Sequence, residues 1–128
     1  MDRQLTSKII NAAIAVHEEL GPGLLESVYL KCLKWELEQR NIPVQIELDL
    51  AVTYKGQRIE GLGFRLDLLV ADKVIVELKS VQRVEPVHKK QLLTYLRLAD
   101  KEIGLLINFN EALLKDGIHR VVRSKNFS

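Results

Sequence analysis

The chain has 128 residues, of which 47% are hydrophobic and 28% charged. This composition is typical of a soluble globular protein and excludes the disordered and fibrous classes. The length predicts a single domain, residues 1–128, with a core that needs no disulfide or metal for folding. The formal net charge of +2 is too small to indicate a nucleic-acid partner by itself.

The cellular setting is predicted from the cysteine count and the N-terminus. The single Cys32 cannot form an internal disulfide, which favours a reducing, cytoplasmic compartment. The first residues lack the basic and then apolar run of a signal peptide, and no apolar stretch is long enough to cross a bilayer. We therefore expect a cytoplasmic protein with no membrane partner.

Two helices are predicted at the start of the chain. In the first, apolar residues recur at helical spacing, with Thr6 or Ser7 as the N-cap and Gly21 as the stop. The second is expected from about Leu25 to Arg40. Its apolar side is predicted to consist of Leu25, Tyr29, Cys32, Leu33, Trp35 and Leu37.

Strands follow the two helices. Strict alternation of apolar and polar residues from Val44 to Tyr54 predicts one long, half-buried strand. After a turn at residues 55–57, the stretch from Gly61 to Ser80 is typical of a β-hairpin.

The second half of the chain completes an α/β order, ααβββαββ. A helix is predicted from Glu85 to Ala99, and the short apolar run Ile103–Ile107 indicates an interior strand. This strand is expected to pair in parallel with the strand before the helix. Ile118–Val122 is predicted as an edge strand, and residues 124–128 as a frayed tail.

The hairpin carries the candidate chemistry. Phe64, Leu66, Leu68 and Val70 are predicted on one face of its first strand, which places Asp67 on the other face. On the second strand, Glu77 and Lys79 share a face. A three-residue loop at 71–73 would set Asp67 directly across from Glu77, whereas a two-residue loop would put the two carboxylates on opposite faces.

Two neighbouring carboxylates suggest a metal site. They repel each other unless a proton or a cation lies between them, and their oxygen atoms suit Mg²⁺ or Mn²⁺. Zinc is disfavoured because the three histidines are scattered and only one cysteine exists. Lys79 could stabilise negative charge that develops beside such an ion. A solvated strand face with weak ion pairs explains the same spacing equally well.

The chain also resembles a known group of enzymes. The segments Gly61–Asp67, Glu77–Lys79 and Gln91–Tyr95 look like the core of the PD-(D/E)XK nuclease superfamily in its RecB-type variant. Independently, Gly23–Tyr29 matches the signature of the GxxExxY protein family. The resemblance covers nearly the whole chain and implies a restriction-endonuclease-like core, with a central mixed sheet flanked by helices. Leucine stands before Asp67, where the superfamily name has proline.

The resemblance implies roles for individual residues. Asp67, Glu77, Glu26 and the backbone carbonyl of Leu78 would bind the metal. Lys79 would act on the attacking water, and the catalytic set would be Lys79, Glu77, Asp67 and Gln91. The substrate-binding residues would be Gln91, Tyr95 and His17.

Four of these residues have a plainer explanation. An acid such as Glu26 in the first turn of a helix is favoured by the helix dipole alone. Tyr95 also fits the apolar stripe of its helix, and Gln91 could simply be solvated. A histidine such as His17 is more often a satisfied surface or core residue than a ligand.

The implied activity is metal-dependent hydrolysis of nucleic-acid phosphodiester bonds with Mg²⁺ or Mn²⁺, on DNA ahead of RNA. The chain shows no appended helix-turn-helix or zinc module that would read a base sequence. Two alternatives stay open. One is a non-catalytic nucleic-acid-binding or protein-interaction module on the same fold. The other is a homo-oligomer, such as a homodimer, whose site works only when it is assembled or supplied with a larger partner.

Overall fold

A computed structural model describes residues 3–124. It contains three α-helices, α1 (Arg3–Leu20), α2 (Glu26–Gln39) and α3 (Pro86–Ala99), and a short 3-10 helix at Leu114–Gly117. The strands are β1 (Val44–Asp49), β2 (Val52–Tyr54), β3 (Gln57–Ile59), β4 (Arg65–Val70), β5 (Val74–Lys79), β6 (Ile103–Asn108) and β7 (Ile118–Val122). No helix of the described part is long and apolar enough to span a membrane.

Five strands form the central sheet in the order β1-β4-β5-β6-β7. Only the β5–β6 pair is parallel, and α3 connects these two strands. This mixed sheet confirms the predicted α/β class, the parallel pair and the edge strand β7. Its strands and the helices follow the predicted order ααβββαββ, and the separate β2–β3 hairpin is an addition to it.

Helices cover both faces of the sheet. Buried residues of α1 and α2 pack with Leu68, Val76 and Leu105 in one core cluster, which we call the α1/α2-side core. On the other face, Leu92 and Leu96 of α3 pack in a second cluster, the α3-side core. Because both faces are covered, the central strands are apolar on both sides.

The prediction of one long strand from Val44 to Tyr54 is wrong. The strand divides into β1 and β2, which belong to different sheets. Glu47 has a positive φ of 53°, so the chain turns at that residue. Ile46 consequently packs against the α1/α2-side core, whereas Leu48 packs against the α3-side core. Apolar and polar residues continue to alternate through this position, so the sequence does not indicate the change of face.

Smaller differences concern the helices. The helix α1 already begins at Arg3, and the hydroxyl of Thr6 donates to the Arg3 carbonyl at 3.1 Å from inside the helix, so Thr6 and Ser7 are not N-caps. Gly21, with φ of 71°, follows its last residue as predicted. Trp35 is 59% exposed and does not belong to the buried side of α2. The predicted frayed tail lies, apart from its first residue, outside the described residues.

Candidate metal centre

The β4–β5 loop has the length on which the site depends. Val70 pairs with Val74 and Leu68 with Val76, which leaves the three residues 71–73 in the loop. Ala71 and Asp72 adopt positive φ values of 51° and 56°. The three-residue alternative is therefore confirmed. The paired register ends at Leu68 and Val76, and the adjoining Asp67 and Glu77 have side chains that interact.

The predicted apolar face of the first strand is only partly correct. Leu68 and Val70 pack in the α1/α2-side core, but Leu66 packs in the α3-side core. Phe64 precedes β4 and is 41% exposed. The strand thus turns next to Asp67, at the position where it passes Glu47 of β1.

Asp67 and Glu77 form an acid pair in which Glu77 is buried and Asp67 is half-buried. Glu77 is only 8% exposed, and Asp67 Oδ2 accepts a hydrogen bond from the Leu78 backbone N–H at 2.8 Å. Burial, followed by the hydrogen bond and the charge of Asp67, raises the pKa of Glu77 to about 9. The charge of Lys79 acts in the opposite direction. Near neutral pH, Glu77 therefore holds a proton unless a cation replaces it.

Tyr95 and Gln91 of α3 complete this side of the site. Gln91 Nε2 donates to the Tyr95 hydroxyl at 2.9 Å. Burial raises the pKa of Tyr95, and the charges of Glu77 and Asp67 raise it further. The Tyr95 ring belongs to the α3-side core, while its hydroxyl is close enough to both acids for their charges to affect its pKa. The apolar and the functional interpretation of Tyr95 are thus compatible.

The α1–α2 connection is fixed beside the end of β5. The Tyr29 hydroxyl donates to the Gly21 carbonyl at 2.6 Å and accepts from the Leu24 N–H at 3.1 Å. The Tyr29 ring stacks on Phe109, with centroids 4.4 Å apart. Ser80 Oγ donates to the Leu24 carbonyl at 2.7 Å. These contacts place the first turn of α2 next to the chain that leaves β5.

The family model of the PD-(D/E)XK nuclease superfamily matches residues 3–121. The chain belongs to the PD-(D/E)XK nuclease superfamily. The match runs from the first described residue into β7 and contains every candidate site residue. No curated protein and no solved structure matches the chain. Membership indicates a nuclease-like function on a nucleic-acid substrate.

PD-(D/E)XK nucleases typically use divalent metals, and the acid pair fits such an ion. Glu77 Oε1 is buried and has no hydrogen-bond partner among residues 3–124, so a buried oxygen ligand is available. Asp67 supplies a second carboxylate, and its bond to the Leu78 N–H brings that backbone into the site. A donor set of oxygen atoms suits Mg²⁺ or Mn²⁺ rather than a softer metal.

Glu26 is not brought to this pair as a third close carboxylate. Within residues 3–124, no three side chains of the histidine, cysteine, aspartate and glutamate types are grouped closely enough to hold a metal. The helix α2, which begins at Glu26, packs on one face of the sheet. The acid pair interacts with Tyr95 of α3, which packs on the opposite face. Glu26 is exposed at the start of its helix.

His17 lies in a different environment from the acid pair. It is buried in α1, and its Nε2 is 2.8 Å from the Glu111 carbonyl. Its ring is 6.2 Å from that of Phe109. His17 also lines a pocket of about 390 Å³ together with Pro22 and Leu113. These contacts match the plainer explanation, a satisfied core histidine.

Asn108 is a site-forming residue that sequence reasoning missed. It is fully buried at the end of β6, where it pairs in register with Lys79. Its Oδ1 accepts from the N–H groups of Val81 and Asn110, and its Nδ2 donates to the Val81 carbonyl at 2.9 Å. Asn108 thereby holds the chain directly after Lys79. The available signal was a polar residue that ends an otherwise apolar run.

Proposed function

We propose that this protein is a metal-dependent nuclease that hydrolyses nucleic-acid phosphodiester bonds with Mg²⁺ or Mn²⁺. The observation that carries the proposal is the buried Glu77, with an unpartnered oxygen, beside the half-buried Asp67. Burying an acid beside a second acid costs stability, and a sheet does not need such a pair for folding. A bound divalent cation would offset that cost.

Asp67, Glu77 and the Leu78 carbonyl are the proposed metal ligands, with Glu26 as a contributor from α2. A divalent ion in this place supplies positive charge that lowers the pKa of water and neutralises a phosphate. Lys79 lies on the face of Glu77 and its charge already acts on that carboxyl. This interaction supports the proposal that the Lys79 ammonium group stabilises the negative charge of the transition state.

Gln91 and Tyr95 are the proposed phosphate contacts. The Tyr95 hydroxyl accepts its hydrogen bond from Gln91, so its own proton can be donated to a phosphate oxygen. The bond from Gln91 orients that hydroxyl. His17 is also a proposed substrate contact. To bind substrate through Nε2, it would have to break its hydrogen bond to the Glu111 carbonyl.

The finer assignments belong to the same proposal. We infer membership of the GxxExxY family and of the RecB-type variant from the segments that resemble them, Gly23–Tyr29 and Gly61–Asp67. DNA ahead of RNA, a cytoplasmic location and homodimer formation stay predictions. The position of Tyr29, which fixes the chain before Glu26, supports a structural role for the last residue of that signature.

The test is a panel of labelled single-stranded and double-stranded DNA and RNA, incubated with Mg²⁺, Mn²⁺ or a chelator. The variants are Asp67→Asn and Lys79→Ala, with Asp72→Asn as the matched control. Asp72 is an acid on the same hairpin whose side chain is 81% exposed and pairs with Lys101. We expect cleavage that requires metal, and a loss of about 100-fold or more in the two site variants only.

Two results would contradict the proposal. One is an absence of metal-dependent cleavage by the unaltered protein on every substrate. The other is unchanged cleavage and unchanged Mn²⁺ binding in the Asp67→Asn variant. Nucleic-acid binding without cleavage would instead favour the non-catalytic module on the same fold.

A further inference from the structure

The aromatic ring of Phe64 lies exposed next to the ring of Tyr95. Its position in an apolar alternation predicted burial, but it is 41% exposed. We propose that Phe64 is a stacking platform for an unpaired base next to the phosphate bound at Asp67 and Glu77. The inference rests on the proposed function and adds the kind of substrate, a nucleic acid whose bases are unpaired at the site.

The backbone holds Phe64 in place. Gly61 and Gly63 adopt positive φ values of 70° and 80°, which glycine tolerates without strain. The Phe64 carbonyl accepts a hydrogen bond from the Leu50 N–H at 2.8 Å. A ring on a fixed backbone loses little conformational freedom when a base stacks on it.

The contacts of Phe64 connect it to the candidate site. Its ring centroid is 6.4 Å from that of Tyr95, and the two planes are tilted by 55°. Tyr95 in turn lies within the electrostatic reach of Glu77 and Asp67. Phe64 also precedes Asp67 by only three residues. The exposed Phe64 ring therefore lies against Tyr95, whose hydroxyl is a proposed phosphate contact.

The surroundings fit a nucleotide better than an apolar protein segment. Val87 is exposed on α3 one helical turn before Gln91, so an apolar side chain and an amide lie on the same helix face as Tyr95. Lys89 and Lys90 are exposed on the same helix. Aromatic faces stack all four bases, but only bases that have left a duplex expose a face for stacking.

The test uses single-stranded oligonucleotides that contain 2-aminopurine, whose fluorescence falls when it stacks on an aromatic ring. Binding is measured in EDTA and in Ca²⁺, separately from cleavage. Phe64→Leu removes the ring and keeps an apolar side chain, and Phe64→Trp keeps an aromatic ring. Tyr54→Leu is the matched control, because Tyr54 is an aromatic residue 58% exposed on the β2–β3 hairpin.

We expect quenching with the unaltered protein, with Phe64→Trp and with Tyr54→Leu. Phe64→Leu should abolish quenching and weaken single-strand binding about 10-fold. Binding to a blunt duplex should be equal for all four proteins. On single-stranded substrates, Phe64→Leu should raise KM and leave kcat within about twofold, because the ring binds without touching the reacting atoms.

The inference is overturned if Phe64→Leu binds and quenches like the unaltered protein, or if Tyr54→Leu loses as much. A change of oligomeric state in Phe64→Leu, measured by sedimentation, would also overturn it, because the ring would then belong to an interface between copies. The parallel cleavage assay separates the two proposals. Metal-dependent cleavage without Phe64-dependent quenching would refute only the proposal of a stacking site. Quenching without any cleavage would refute only the proposal of nuclease activity.

Discussion

Replacing Glu77 by glutamine should make the metal-free protein more stable, and increasingly so as the pH rises. The pKa of Glu77 is raised from 4.5 to about 9, chiefly by burial and then by Asp67. The unfolded chain releases the proton above pH 4.5, while the folded protein keeps it until about pH 9. The stability that Glu77 contributes is therefore complete below pH 4.5 and is lost as the pH rises through this window. Glutamine is neutral throughout and loses nothing.

The size of the effect follows from the same window. One proton held by the folded state alone changes the free energy of unfolding by about 1.4 kcal/mol per pH unit. Between pH 6 and pH 8, the difference between Glu77→Gln and the unaltered protein should thus grow by up to about 3 kcal/mol. Titrating groups that do not interact with Glu77 are common to both proteins and cancel in the difference.

The measurement is urea unfolding in EDTA at pH 5, 6, 7 and 8, followed by circular dichroism. The only tryptophan, Trp35, is 59% exposed and is a poor reporter of the core. Saturating Mn²⁺ should reverse the order of stability at pH 8, because the ion replaces the proton on Glu77 and the glutamine variant lacks that ligand. A difference between the two proteins that stays constant from pH 5 to pH 8 would refute the reasoning.

Three further substitutions test the packing around the site by urea unfolding. Asn108→Ala leaves the partly buried N–H and carbonyl of Val81 without these partners and should cost about 2–4 kcal/mol; a loss below about 1 kcal/mol would contradict the bonds described. Tyr29→Phe removes two hydrogen bonds and should cost about 1–2 kcal/mol, whereas an unchanged stability would mean that the ring stack alone suffices. Gly104→Ala places a Cβ 2.9 Å from Leu92 and should cost about 1–3 kcal/mol, unless Leu92 can repack.

Much of the central sheet could be predicted because its signals are local. The hairpin loop at 71–73 lies between two apolar runs, and the apolar run before Asn108 follows a helix. Short loops dictate antiparallel neighbours, and a helical crossover dictates a parallel pair. The register that brings Asp67 beside Glu77 followed once the loop length was known.

The misplaced residues share one physical cause, a backbone turn without a glycine to signal it. Glu47 has a positive φ in the middle of an alternating run, and the face changes there. In a sheet covered on both sides, an apolar residue is buried on either face, so alternation continues through the turn.

Within the candidate site, the sequence indicated which residues could take part but not on which face of the sheet each of them lies. Gln91 and Tyr95 lie one helical turn apart and do meet, since helix geometry brings such pairs together. Glu26 and His17 come from the α1/α2 side, and only the packing of helices on the sheet decides which layer a helix joins. Asn108 could not be assigned because its partners are backbone groups of a distant segment.

The two layers meet at the carboxyl end of β5, and this determines how Glu26 could take part. The Ser80 bond to Leu24 ties the start of α2 to that end, and the Phe109 N–H bond to the Lys79 carbonyl ties in the end of β6. In sheets with parallel strands, ligands bind beyond these carboxyl ends, where successive connections leave on opposite faces. In the proposed site, Glu26 would therefore reach an ion at Asp67 and Glu77 only around the strand end, through water or through the phosphate. Glu26→Gln should consequently weaken Mn²⁺ binding less than Asp67→Asn does.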